Sequence, residues 1–382
     1  MLQFVFVNSL LIKEEVMRKL LNNALLAILA SSLYENTVLP VHRHSRIEFC
    51  KKQTLDLMPD ITNYLYKKLT LTEELTDQTE VVETMFNQLK KKFDESSQNL
   101  EEIDDESSAK KKINGIKLAM FRNNDTSTEI GLLNTSYAVL ELDHNDYLYN
   151  FFNLMEFRRK IYFSLQGVEV TAENMFRHFV DVRGEEPVTF HSSDIVCIPY
   201  GLIKKVTKEL PPYVTLAQVG FPLAKIIGHA INSIRIQNQR NDFTNSSDIK
   251  QEMVFSNPIY FGEFELSSFT INNGLSANKI VAENIALGLL TKFSNTFGNE
   301  TLLPWISNKY SQQKIFFLAI AQELCQVLSL TQYIVEAYES PILPAQLRIE
   351  NILRNSKFLE QFHCGPDSSM SRIEDRVYGI GM

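Results

Sequence analysis

No run in the sequence approaches the roughly 20 apolar residues needed to cross a bilayer, so no transmembrane segment is expected. Basic charge is also in deficit. Lys and Arg number 38 against 46 Asp and Glu, and the net charge of −8 argues against nucleic acid or an anionic membrane surface as the main partner. The apolar N-terminal stretch MLQFVFVNSLLIKEE lacks a basic leader and a clear small-residue cleavage site. It makes a poor signal peptide, and the expectation is that it begins a helix or marks an incomplete chain. Cysteine is scarce: Cys50, Cys197, Cys325 and Cys364 allow three fully paired connectivities and show no Cys-x-x-Cys spacing. They fit free thiols as well as two bridges. No internal repeat is visible.

What is present is an ordinary globular composition, 44% hydrophobic and 22% charged over 382 residues, enough for two domains and a substantial core. Apolar spacing predicts helices over 14–34, Ile47 to Lys68 and Thr79 to Phe93. The next helix is capped by Asp104 or Asp105, with an acidic start and a basic body that match the helix dipole. Beyond Gly115 the character shifts. FRNNDTSTE reads as a polar loop, Tyr147 to Phe163 as an aromatic helix, and the segment up to Pro199 and Gly201 as short strands rich in β-branched residues. A buried helix follows, then a polar loop, an extended segment and a helix over Ala282 to Phe293. From Ile315 onward the tail reads helix, loop, helix.

The buried helix carries Ile226 to Arg235, in which Leu223, Ile226, Ile227, Ile231 and Ile234 recur at helical spacing around His229. In the His-Glu-x-x-His pattern, two imidazoles one turn apart hold zinc and the carboxylate activates water. Here the first histidine stands, with Ala230 at the glutamate place and Ser233 at the second histidine place. A lone histidine on such a face is more often a core residue satisfied by hydrogen bonds than a ligand.

The surrounding blocks give that histidine a context. Arg46 and Cys50, the helix start Ile103 to Lys112, Ile195 to Leu202 with its Pro-x-Gly, Ile226 to Ser233, Glu283-Asn284-Ile285-Ala286, FFLAIAQELC and RIENILRNSKFLEQFHC occur in that order over most of the chain. Together they resemble the C-terminal part of the neprilysin family of zinc endopeptidases, peptidase family M13. The resemblance implies a mainly α fold with a small β-sheet (α+β). Residues 1–145 would form a partial helical domain and residues 146–382 a thermolysin-like, zincin-type domain.

The same resemblance identifies His229 and Glu283 as remnant zinc ligands, with Ser233 in place of the third. Ala230 stands where the general base belongs, and a methyl group takes no proton. Leu287 stands where an aspartate orients a ligand imidazole. Ile342, ahead of Pro344, stands where a transition-state histidine belongs. Arg348 matches the arginine that binds a substrate carbonyl, and no Asn lies in Glu186 to Thr189, where the family grips substrate backbone. One family disulfide is missing at both ends, since Glu252 and Asp375 occupy its places. Cys50, Cys325 and Cys364 resemble family cysteines whose partners lie upstream of this chain.

Loss of a base costs about 10²–10⁴ in rate. The expectation is therefore a catalytically inactive homologue that acts by binding peptides or a protein partner, with zinc lost or weakly held. His229 and Glu283 would then be buried remnants hydrogen-bonded to each other. The alternatives are a weakly active zinc metalloendopeptidase and a truncated product without stable function. An extracellular or ectodomain setting is implied by the family alone.

Overall fold

The computed structural model describes residues 46–70, 74–97, 106–120, 126–167, 171–189, 194–242, 274–294, 310–329, 343–353 and 356–365, four strands between 253 and 271, and scattered positions elsewhere. In chain order the elements are α1 (Arg46–Leu57), α2 (Pro59–Thr70), α3 (Glu74–Ser97), α4 (Glu106–Gly115), β1 (Lys117–Met120), α5 (Thr126–Tyr137), α6 (Tyr147–Ser164) and α7 (Ala172–His178). The short strands β2 (Val188–Thr189) and β3 (Ile195–Ile198) follow, then α8 (Tyr200–Ile203), α9 (Pro212–Thr215), a π-helical turn (Leu216–Gly220) and α10 (Phe221–Asp242). Strands β4 (Met253–Phe255), β5 (Ile259–Phe261), β6 (Phe264–Leu266) and β7 (Phe269–Ile271) lead to α11 (Gly274–Ser294), α12 (Gln312–Glu323), α13 (Ala345–Leu353) and α14 (Ser356–Gln361). The architecture is mainly helical with little sheet, as the sequence predicts. Two compact units result, one from residues 1–69 with 125–181 and one from 70–124 with 182–382.

The smaller unit is helical among its described residues. Proline splits the helix predicted over Ile47 to Lys68: Pro59 has no N–H and disfavours helical backbone at Met58, so α1 stops at Leu57 and α2 starts afresh. Asp146 caps α6 by accepting from the Tyr149 amide at 2.9 Å, and the helix buries Phe151, Leu154 and Phe157. Buried Asn63 of α2 donates from Nδ2 to the carbonyls of Phe176 (2.9 Å) and Val180 (2.7 Å), satisfying groups at and just beyond the end of α7. The Tyr137 hydroxyl donates to buried Asp60.

The larger unit centres on α10 and α11. A three-stranded sheet of order β1-β3-β2 lies in the same unit, with β1 parallel to β3 (Lys117 opposite Ile195) and β2 antiparallel to it (Val188 opposite Cys197). Val196, Cys197 and Ile198 are buried, and Pro199 ends the strand. Gly201 then passes so close to the chain that a Cβ would lie 2.2 Å from the Arg183 carbonyl oxygen, while its N–H donates to Val182 O at 3.0 Å. Only glycine fits the last place of that Pro-x-Gly. Strand β4 pairs with β7 and β5 with β6, both antiparallel.

Leu223, Ile226, Ile227, Ile231 and Ile234 are all buried on α10, as are Ile280, Val281, Ile285, Ala286, Leu289 and Leu290 on α11. The helices meet at Gly228, where a Cβ would come within 2.2 Å of the Ala282 carbonyl oxygen. Counting its preceding turns, the run Pro212–Ile234 is long and apolar enough to cross a membrane, a length the sequence reading did not assign. About nine in ten residues of its most apolar stretch are buried inside the protein, which accounts for its hydropathy as that of a core helix.

Candidate functional site

The close approach at Gly228 sets the site, because the next residue on each helix is a candidate ligand: His229 after Gly228, Glu283 after Ala282. Four-residue spacing extends each position along its helix. Lys225 and Ser233 lie one turn either side of His229, and Lys279 and Leu287 lie one turn either side of Glu283.

Glu283 is 3% exposed and does not bond to His229. Arg348 of α13 takes its carboxylate instead, with Nη2 donating to Oε1 and Nε to Oε2 at 3.3 Å. This corrects the expected pairing of His229 with Glu283. A guanidinium offers two parallel N–H groups to both carboxylate oxygens, whereas an imidazole offers one. The arginine expected to meet substrate is thus engaged inside the protein.

His229 departs from expectation as well, being exposed rather than buried, with no ring hydrogen bond among the described residues. Enough protein still surrounds the ring that burial leads the causes lowering its pKa, followed by the Lys225 ammonium; Glu283 and Glu186 oppose the shift. The imidazole is therefore neutral at neutral pH.

Ser233 holds the third-ligand place, and its hydroxyl is engaged as donor and as acceptor. It donates to Ala230 O at 2.7 Å and lies 2.6 Å from Lys112 Nζ of α4, whose N–H it accepts. Ala230 is 8% exposed, and Leu287 lies fully in the core. Lys225 Nζ donates to both Glu186 carboxylate oxygens at 2.7 Å and sits 5.4 Å from the centre of the Phe221 ring. Asn232 Nδ2 reaches Asn278 Oδ1 at 3.1 Å. Lys279 feels Arg348, Glu283, Lys225 and Glu186, and burial followed by the Arg348 charge lowers its pKa.

Near Glu186 to Thr189, where the family resemblance places an Asn, the structure has β2 and the Glu186–Lys225 pair. Ile342, Glu252 and Asp375 lie outside the described residues. None of the four cysteines is in a disulfide. Cys50 and Cys325 are exposed, while Cys197 is buried in β3 and its thiol pKa is pushed up to about 12 by burial. Lys112, Lys225 and Lys279 were not identified from the sequence. Two of them were legible, because each lies four residues before a candidate ligand on the same helix.

Among the described residues no three His, Cys, Asp or Glu side chains lie together so as to hold a metal ion. Among the described residues the cluster contains four cations (Lys112, Lys225, Lys279, Arg348) and two carboxylates (Glu186, Glu283). With His229 neutral its net charge is +2, inside a chain of net charge −8. Chemically it is a place for binding negative charge, with one unoccupied imidazole.

The family model described as Peptidase family M13 matches residues 190–376. No curated protein matches the chain. Among solved structures it is similar to the Mycobacterium tuberculosis zinc metalloprotease Zmp1 in complex with inhibitor, with a TM-score of 0.62 and 12% identity over 85% of this chain and 50% of that one. It is similar to PepO from Lactobacillus rhamnosis HN001, at 0.58 and 13% over 82% and 48%. A Haemonchus galactose containing glycoprotein complex gives 0.61 and 13% over 97% and 59%. The chain thus spans about half the length of the solved structures it resembles, and at such identities the likeness establishes the zincin-like fold alone.

Proposed function

The chain belongs to peptidase family M13 through residues 190–376, and from that premise we propose that it is a catalytically inactive member acting by binding peptides or a protein partner. One observation carries this reading: the third-ligand place holds a serine hydroxyl bonded to a lysine ammonium 2.6 Å away. A catalytic zinc site takes three protein ligands and keeps one position open for water. The residues present do not fit that need. Glu283 is bound at both oxygens by Arg348, Ser233 is a neutral donor facing a cation, and His229 alone is available. Ala230 supplies no base, and Leu287, in the core, supplies no carboxylate to orient a ligand imidazole. The apolar framework beneath, Leu223 to Ile234 of α10 and Ile280 to Leu290 of α11, is packed. A folded scaffold with degraded chemistry is what a binding role requires. The extracellular setting common in the family and a net charge of −8, which disfavours nucleic acid as the partner, support the reading.

The second reading is weak zinc-dependent peptidase activity. It is favoured by His229, which is exposed at the first-ligand position and has no ring hydrogen bond among the described residues. A fluorogenic peptide assay of the 382-residue chain with added zinc, run with and without a phosphoramidate inhibitor, separates the two. The inactive reading predicts no turnover above that of a His229→Ala variant. Inhibitor-sensitive turnover that disappears in that variant would overturn it.

A further inference from the structure

The positive charges around His229 are unequally satisfied. Arg348 and Lys225 each face a carboxylate of their own, at Glu283 and Glu186. Lys112 is bonded to a hydroxyl, which accepts its proton but does not neutralise its charge. Lys279 has no hydrogen bond or ion pair among the described residues, although Glu283 lies one turn further along the same helix. That carboxylate is already held by Arg348. His229, on the neighbouring helix, has an exposed ring without a hydrogen-bond partner among the described residues, and it lies within electrostatic reach of Lys279. The backbones of these two helices are fixed against each other by the Gly228–Ala282 approach, so the two side chains emerge from one rigid base.

We propose that Lys279 and His229 form a carboxylate-binding site, in which the lysine ammonium supplies the positive charge that a bound zinc would carry in an active relative. The inference rests on the peptide-binding reading above and names the group recognised: a peptide carboxylate, at the C-terminus or on an acidic side chain. The imidazole donates one hydrogen bond to the carboxylate and Lys279 donates a charge-assisted one. Arg348 and Lys225 contribute their field without giving up their own partners. The unbalanced state of Lys279 agrees with this. Its pKa is lowered by burial and then by Arg348, a cost that a bound anion relieves.

The test is titration calorimetry of the 382-residue chain at low ionic strength with three blocked probes: acetyl-Phe-Ala-Leu as the free acid, the same peptide as its C-terminal amide, and acetyl-Phe-Ala-Glu as the amide. The expected result is that a carboxylate-bearing probe binds about tenfold more tightly than the neutral amide, the worth of one partly desolvated ion pair. Lys279→Met abolishes the preference and Lys279→Arg retains it, with thermal unfolding checking that each variant folds. Preference for the free acid over the Glu amide places the recognised carboxylate at the C-terminus, and the reverse order places it on a side chain. Equal binding of all three probes, or a preference that survives Lys279→Met, overturns the site and leaves peptide binding standing. If no probe binds, the peptide reading falls, and thermal shift with sodium acetate against chloride at matched ionic strength decides the site separately. Acetate stabilisation lost in Lys279→Met upholds it, and no stabilisation overturns it.

Discussion

The two faces of α10 make opposite demands on their residues. Toward the core, Leu223, Ile227, Gly228 and Ile231 meet α11 and the rest of the larger unit with no room to spare. On the other face, Lys225, His229 and Ser233 repeat at the same helical spacing, but each is satisfied by a different partner or by none. The packed face depends on shape, and shape survives any change that keeps volume and backbone approach. The polar face of an active zinc peptidase depends on a set of donors that works only when complete. A chain can therefore lose its chemistry while keeping its fold, and on the inactive reading proposed above the boundary between the two runs along a single helix.

Substitutions on either face test this asymmetry, starting with the core. Gly228→Val drives two methyl groups and a Cβ into the Ala282 carbonyl. It should cost about 3 kcal/mol or more, read as a large fall in Tm or loss of cooperative unfolding by circular dichroism. A mild effect would mean that the two helices part more easily than the contact implies. Arg348→Ala leaves Glu283 buried and unpaired, and about 3–5 kcal/mol should be lost in denaturant unfolding. Adding Glu283→Gln to that variant should recover part of the loss, because it removes the stranded charge.

A control lies in the smaller unit. His178 has a buried Nδ1 without a partner, and burial lowers its pKa below the ordinary histidine value. The folded chain holds this imidazole neutral while the unfolded chain takes up its proton near pH 6.5, as a rough value. The stabilisation is complete above that pH and declines as pH falls toward the folded-state value, by at most about 1.4 kcal/mol per pH unit. Comparing Tm across that range with a His178→Asn variant isolates the contribution. The smallest effect is expected at Ser233→Ala, about 1 kcal/mol for the hydroxyl given up by Lys112 and Ala230 O. If Ser233→Ala proved as costly as Gly228→Val, the contrast between the faces would fail.

Much of this contrast was legible in the sequence. The apolar period around His229 announced α10, and the absence of Glu and His at positions 230 and 233 announced the damaged motif. Other features depend on distant partners. Strand β1 reads Lys-Leu-Ala-Met, with no β-branched residue, and exists because β3, more than seventy residues later, pairs with it. Helix α5 begins inside a stretch whose Thr and Ser content reads as loop. Nor does sequence spacing reveal that Arg348 would take Glu283, since that choice follows from which side chains α13 brings to α11. The lysines at 225 and 279 follow the four-residue rule, but lysine is no ligand type, so the spacing marks them only once His229 and Glu283 are placed.

The central claim is that the site no longer holds zinc as its relatives do, and metal stoichiometry tests it most directly. The purified 382-residue chain is equilibrated with zinc, freed of unbound metal and analysed beside a His229→Ala variant by plasma mass spectrometry. The account predicts zinc far below one equivalent and no difference between the two proteins. Close to one equivalent in the parent chain, lost in the variant, would contradict it.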